Sequence, residues 1–257
     1  MPAVAALVPS AETSQSLRRA LPTGGPWSLV RCLNLNQLQR ALRSRLVDAV
    51  VFSPARTSLD DLTALRSDFP HVPWIAFAPF RPDDGSVLLA CHQGGVTMVL
   101  VDGVDSPVAG DLVVRHSAAA QRRQALADAP RVLRLAETLQ REVWQYLLDR
   151  VDQPIRTGEI ARTLGCSREH LSRQFGAGGA PNLKRVIDLT RVACAASLLR
   201  NPGYDVATVA RILRFSTASH LSATARRIAG VSTRGLSGLG PRGVLAHFTR
   251  GKTRSRV

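Results

Sequence analysis

Five short apolar runs, evenly spaced through the first 125 residues and separated by amphipathic stretches, constrain this chain more than any other feature. The runs are Val4 to Val8, Trp27 to Cys32, Asp48 to Phe52, Val72 to Phe77 and Val96 to Val101. Between them the spacing predicts helices over Ala11 to Ala20, Leu35 to Leu46, Ser58 to Ser67 and Asp83 to His92. The third is typical: Ser58 can cap it, Asp60 and Asp61 suit its positive N-terminal end, and Leu59, Leu62 and Leu65 fall on one face. Strand-helix repeats of this length imply a parallel sheet covered by helices on both sides. Aromatics are 5% of the chain against 45% hydrophobic residues in all, so the core must be mostly aliphatic.

After Gln124 to Pro130, read as a break, the strand-like runs stop and only helical patterns remain. Arg131 to Arg150 reads as one long helix with a broad apolar face that includes Leu133, Leu135, Val143, Trp144 and Leu147, and Pro154 closes it. The charge changes at the same place. Up to Ala129 the chain carries 12 arginines and 11 acidic residues, whereas Pro130 to Val257 carries 22 basic and 8 acidic residues, almost the whole net charge of +15. Only Lys184 and Lys252 are lysines. The second half therefore suits a polyanion, and arginine's planar fork favours phosphate and guanine.

Several function classes drop out. Cys32, Cys91, Cys166 and Cys194 stand far apart without a CxxC pair, which points to reduced, buried thiols. The six histidines, His71, His92, His116, His170, His220 and His247, have no metal-binding spacing. SGLGPRG lacks the ending and the preceding strand of a phosphate loop, and no GxSxG occurs, so neither an enzyme nor a cofactor is expected. The start of the chain lacks the pattern of a secretory signal, and no run of about 18 apolar residues could cross a membrane. A cytoplasmic protein is the expectation. Trp27, Trp74 and Trp144 lie inside apolar runs and read as core.

The rhythm of the first half, with the phrases VDAVVFSP and VPWIAFAP, resembles the receiver domain of bacterial response regulators. The resemblance implies an acidic pair, a phosphorylatable Asp, a hydroxyl and a Lys at the ends of successive strands. Here those places hold Pro9 and Ser10, Ser53, Ala78 and Asp102. Such a receiver could not hold magnesium or an acyl phosphate. Dimerisation, or a small ligand at the carboxyl ends of the strands, is the use that remains.

TGEIARTLGCSREHLSRQF, Thr157 to Phe175, follows the grammar of a helix-turn-helix. Thr157 can cap a short helix with Ile160, Ala161 and Leu164 inward; Gly165 permits a left-handed turn; Ser167 caps the next helix, which returns Leu171 and Phe175 to the core. Its outward side carries Arg168, Glu169, Ser172 and Arg173. The grammar recurs from Tyr204 to Ser232. A short helix with Val206, Val209, Ala210 and Leu213 inward is followed by a turn at Arg214 and Phe215. Ser216 then caps a helix bearing Thr217, Ser219, His220, Ser222, Arg226 and Arg227. A helix over Asn182 to Arg200 joins the two units and would span roughly 28 Å, against about 34 Å between successive major grooves.

On IARTLGCSREHLSRQF, LTRVACAASLL and VATVARILRFSTASHLSATARRIAGVS, residues 131–236 resemble the DNA-binding domain of the AraC/XylS family of transcription regulators. The resemblance implies a helix in each of two major grooves, with Glu169, Ser172 and Arg173 facing bases from the first unit and Ala218, Ser219, His220, Ser222 and Ala223 from the second. Arg214 stands where the family commonly has Gly, Ala225 and Ala229 replace bulky aromatics, and Thr233 replaces Pro. The second unit is therefore expected to hold backbone more than it reads sequence, with Arg226 and Arg227 on phosphates.

The expected architecture is an α/β receiver-like domain with a parallel five-stranded sheet over 1–125, an all-α domain with two helix-turn-helix units over 131–236, and a basic flexible tail over 237–257. The expected partners are double-stranded promoter DNA, RNA polymerase and a second copy through the N-terminal domain. The rival reading is a protein-partner adaptor whose basic half binds nucleic acid without specificity.

Overall fold

The computed structural model describes residues 2–22, 27–54 and 59–254. The chain divides into two compact units, Met1–Gln121 with Asn201–Tyr204, and Arg122–Arg200 with Asp205–Val257.

The first unit alternates strand and helix: β1 (Ala3–Leu7), α1 (Ala11–Ala20), β2 (Ser28–Arg31), α2 (Leu35–Ser44), β3 (Ala49–Phe52), α3 (Leu59–Asp68), β4 (Trp74–Ala78), α4 (Gly85–Gln93), β5 (Met98–Val101) and α5 (Ala109–His116). The strands pair in parallel in the order β2-β1-β3-β4-β5, the order of flavodoxin-like and receiver folds. The central strands β1, β3 and β4 are buried along their whole length, as continuous apolar runs require when helices cover both faces. On one face Val4, Val51, Ile75 and Phe77 pack with Leu17 of α1 and Val113 of α5. These two helices approach so closely that a Cβ on Gly110 would lie 1.9 Å from the Ala20 carbonyl oxygen. Phe52 and Trp74 meet edge to face at 6.4 Å, both buried.

All five expected strands are present, with ends shifted by up to two residues. The fourth expected helix starts later, because Pro82–Asp84 form a 3-10 turn before α4. Ser58, expected to cap the third helix, lies outside the described residues. Where a working receiver keeps its phosphorylation residues, Ser10 caps α1 by accepting from the Thr13 N–H at 3.0 Å, and Asp102 accepts from the Ser106 hydroxyl at 2.9 Å. Ser53 is buried, and its hydroxyl has no hydrogen-bond partner among the described residues. A hollow of about 900 Å³ opens where β1 and β2 end, lined in part by Pro9, Arg31, Asn34 and Asp61.

The rest of the chain is helical: α6 (Ala118–Ala125), α7 (Ala129–Val132), α8 (Thr138–Asp149), α9 (Thr157–Thr163), α10 (Arg168–Phe175), α11 (Leu183–Leu198), α12 (Val206–Ile212), α13 (Ala218–Ala229) and α14 (Thr233–Arg254). No helix among the described residues is long and apolar enough to cross a membrane.

Three expectations need correction. The break at Gln124 to Pro130 is a packed turn between α6 and α7, with Leu126 and Ala129 buried. The single helix over Arg131 to Arg150 is two helices. Arg134 takes a left-handed backbone, φ 58°, after α7, and Glu137 restarts the chain as α8 through a capping box with Gln140. Leu133 and Leu135 stay buried across the break, which is why their spacing imitated one helix. Finally, the tail read as flexible continues as α14, interrupted at Gly240 (φ 60°) and resumed from Pro241 to Arg254. Val244, Leu245 and Phe248 are buried, and α14 packs on α11 and α13. Gly and Pro suggested a loop, but one Gly in a left-handed conformation is enough to re-aim a helix that then buries its own apolar face.

Candidate nucleic-acid interface

The first helix-turn-helix is built by α9 and α10. Ile160 and Ala161 are buried, Leu164 is half-buried, and the Cys166 N–H closes the turn on the Ala161 carbonyl at 2.9 Å. That closure puts Gly165 at φ +65° with nothing within 4 Å of the site of a Cβ, so glycine is required by conformation rather than by space. Cys166 itself is half-buried, unlike the other three thiols. Ser167 caps α10 by accepting from the His170 N–H at 3.1 Å. Thr157 was expected to cap α9, but it is the first helical residue; Arg156 precedes it and its side chain makes no capping bond.

On α10, Leu171 and Phe175 are fully buried while Arg168, Glu169, Ser172 and Arg173 are exposed. Neither Arg168 nor Arg173 is held by a side-chain hydrogen bond or ion pair among the described residues, so both guanidinium forks are available to a ligand. The far end of α10 is fixed by a residue that sequence reasoning passed over. Gln140, buried on α8, donates from Nε2 to the carbonyls of Gln174 (3.2 Å), Phe175 (3.0 Å) and Ala177 (3.2 Å). It satisfies carbonyls that a helix end leaves unpaired. A glutamine next to Leu139 and one helical turn before Val143 and Trp144 was the available signal.

The second unit, α12 and α13, repeats the design. Asp205 caps α12 through the Thr208 N–H at 2.6 Å, and that bond, first among the causes, holds its carboxyl below the usual carboxylate range. The Phe215 N–H closes the turn on the Ala210 carbonyl at 2.8 Å. Arg214 occupies the position equivalent to Gly165 and is forced to φ 59°. Thr217, not Ser216, caps α13, accepting from the His220 N–H at 3.0 Å. Ser216 instead shares a 3.0 Å hydrogen bond with His220 Nδ1, and Phe215 meets that imidazole edge to face.

The candidate residues of α13 are thus mostly engaged within the protein. Thr217 serves as cap, the Ser222 hydroxyl donates to the Ala218 carbonyl at 3.0 Å, and His220 is tied to Ser216. Arg227, expected on phosphate, donates from Nη2 to Asp188 of α11 at 2.8 Å. Burial pushes the Asp188 carboxyl above its ordinary range, against the opposing pull of Arg227, Arg191, Lys184 and His220. Ser219 and Arg226 remain exposed. Ala225 and Ala229 are buried facing the rest of the domain, and the Ala229 carbonyl meets His247 Nδ1 of α14 at 2.9 Å.

The linking helix α11 has 16 residues, hence roughly 24 Å rather than 28 Å. It is buried along most of its length and packs against α8, α12, α13 and α14. The second recognition helix, α13, packs directly on this rod, whereas α10 packs on α8 and α9, and α8 in turn meets the rod.

Residues 160–236 match a family model described as "Helix-turn-helix domain", which takes in both units and the rod between them. No curated protein matches the chain. Among solved structures, full-length FixJ from B. japonicum aligns over 90% of this chain and 98% of its own, at 12% identity and a TM-score of 0.38.

Proposed function

We propose that this chain, whose residues 160–236 form an AraC-type helix-turn-helix domain, is a sequence-specific transcription regulator that inserts α10 and α13 into successive major grooves of promoter DNA. The observation that carries the reading is the unoccupied exposed face of α10, with Arg168, Glu169, Ser172 and Arg173 above the buried pair Leu171 and Phe175. Arg173 reads guanine by a bidentate contact, and Arg168 and Arg226 hold phosphates. Thr217, Ser219, His220 and Ser222 approach the second groove, with Arg227 engaged by Asp188 and least available to DNA.

Residues 1–125 act as the regulatory and dimerising part, 131–236 as the DNA reader. Leu88 and Leu89 of α4 and Val104 and Val108 ahead of α5 are exposed apolar residues near the edge strand β5, a surface suited to a second copy. The bound dimer acts in the cytoplasm, through contact with RNA polymerase.

Competition between a duplex selected by the purified chain and random duplex, at several salt concentrations, tests the reading. A specific regulator prefers its site by about 10³ or more, and its affinity falls steeply with salt. A ratio below about tenfold would favour the rival, an adaptor that binds nucleic acid loosely.

A further inference from the structure

We infer that Arg191 is a positioning residue that sets the separation of the two recognition helices, and through it the half-site spacing the chain accepts on DNA. This rests on the DNA-binding reading above and adds a residue that does not touch DNA.

Arg191 lies midway along α11, the helix that joins the two units. Its Nη2 donates to the Gln153 carbonyl at 3.1 Å, in the loop that leads into the first unit. Its guanidinium carbon lies 5.9 Å from the ring centroid of Phe215, in the turn of the second unit. One side chain thus touches the entrance of one helix-turn-helix and the hinge of the other. A second tether runs alongside, from Arg214 Nε to the Asp152 carbonyl at 3.2 Å. Residues 152 and 153 therefore receive one arginine from the rod and one from the second turn. A shift of the second unit relative to the loop that enters α9 would have to stretch the Arg214 bond and give up either the Gln153 bond or the Phe215 contact of Arg191.

The energetics argue that packing is not the reason for an arginine here. Arg191 is half-buried, and its buried Nε has no hydrogen-bond partner among the described residues. Burial pulls its pKa below the usual arginine range, with Asp188 acting in the opposite direction. An unbonded buried N–H and a desolvated cation both oppose folding. A methionine would fill the same space without either. What the guanidinium adds is direction: a planar donor fixed to one carbonyl while it sits over one ring. On this proposal the Arg191 charge specifies geometry rather than adds stability.

The test uses the full chain as wild type, Arg191→Met and Arg191→Lys. Each is measured against the duplex selected by the wild type, against versions with one base pair added or removed between the half-sites, and against a duplex carrying only the first unit's half-site. Changing the spacing should weaken the wild type by about tenfold or more. Arg191→Met should bind all three spacings within about threefold of one another, while keeping wild-type affinity for the isolated half-site and unfolding at the wild-type temperature or above. Arg191→Lys, which keeps the charge without the fork, should fall between the two. A purely structural role would lower the unfolding temperature and half-site affinity together. The inference is overturned if folded Arg191→Met retains the wild-type spacing preference; should that variant fail to fold, full retention by Arg191→Lys overturns it. If the wild type selects no sequence, the DNA reading itself fails, which is distinguishable from a selective wild type whose variants are unchanged.

Discussion

The two helix-turn-helix units share one grammar and use it differently. Each closes its turn with an N–H bonded back five residues, Cys166 to Ala161 and Phe215 to Ala210. Each puts the residue before that donor in a left-handed conformation, Gly165 or Arg214, and each caps its second helix with a hydroxyl, Ser167 or Thr217. They part company beyond the cap. The polar face of α10 is unoccupied, whereas on α13 His220 and Ser222 are bonded within the helix and its own turn and Arg227 is bonded to Asp188 of α11. The first unit presents its polar face to solvent, and the second ties part of its polar face to its own protein.

The largest test of that contrast removes the end of α14. A chain stopped before Pro241 loses the burial of Val244, Leu245 and Phe248 in the helix that packs on α11 and on α13, which carries alanines at 225 and 229. Each such side chain contributes roughly 1.5 to 3 kcal/mol, so the second unit should lose its amide-exchange protection while α9 and α10 keep theirs. Equal loss in both units would contradict the contrast.

Next come the arginines. Arg173→Ala should relax sequence preference at one base position by roughly 1 to 3 kcal/mol and leave thermal stability unchanged. Arg227→Ala should do the reverse, lowering stability by roughly 1 to 3 kcal/mol, because it leaves the Asp188 carboxylate without its nearest partner. Binding profiles over single-base variants of the site, with melting curves, separate the two effects.

The turn residues give a smaller effect of opposite sign in the two units. Gly165→Ala forces an ordinary side chain into φ +65° and should cost about 1 kcal/mol. Arg214→Gly relieves that strain and should gain up to about 1 kcal/mol in urea unfolding, less the loss of its bond to Asp152.

The smallest effect is in pH. The Asp205 carboxyl is held low chiefly by the Thr208 N–H, so its contribution is present above the ordinary aspartate range and is lost as pH falls through the lowered value. Asp188 is raised by burial, so its contribution has the opposite slope and declines as pH rises from the ordinary value through the raised one. Asp205→Asn should therefore lag the wild type in urea midpoint near pH 6, and the difference should shrink as the pH is taken below the ordinary aspartate range.

How much of this was legible depended on whether a signal was local. The five strands and α1 followed directly from apolar runs and spacing, since a parallel sheet buried on both faces leaves little ambiguity. The turn residues and Ser167 were legible for the same reason. Arg134 was not, because nothing in its side chain announces a left-handed backbone, and Leu133 and Leu135 preserve an apolar rhythm across the break. The helical end of the chain was hidden by Gly238, Gly240, Pro241 and Gly243, whose local preference is overridden once Val244 and Phe248 find a surface to cover. The ties from Arg191, Arg227 and Gln140 join residues 34 or more apart, a separation at which sequence pattern carries no information about partners.

The central claim is that both recognition helices enter one duplex from the same side. Hydroxyl-radical footprinting of the selected site measures this directly. The account expects two protected patches on one face, separated by about one helical turn of 10 to 10.5 base pairs, with Arg173→Ala altering base preference in one patch alone. A single patch, or two on opposite faces of the duplex, would contradict it.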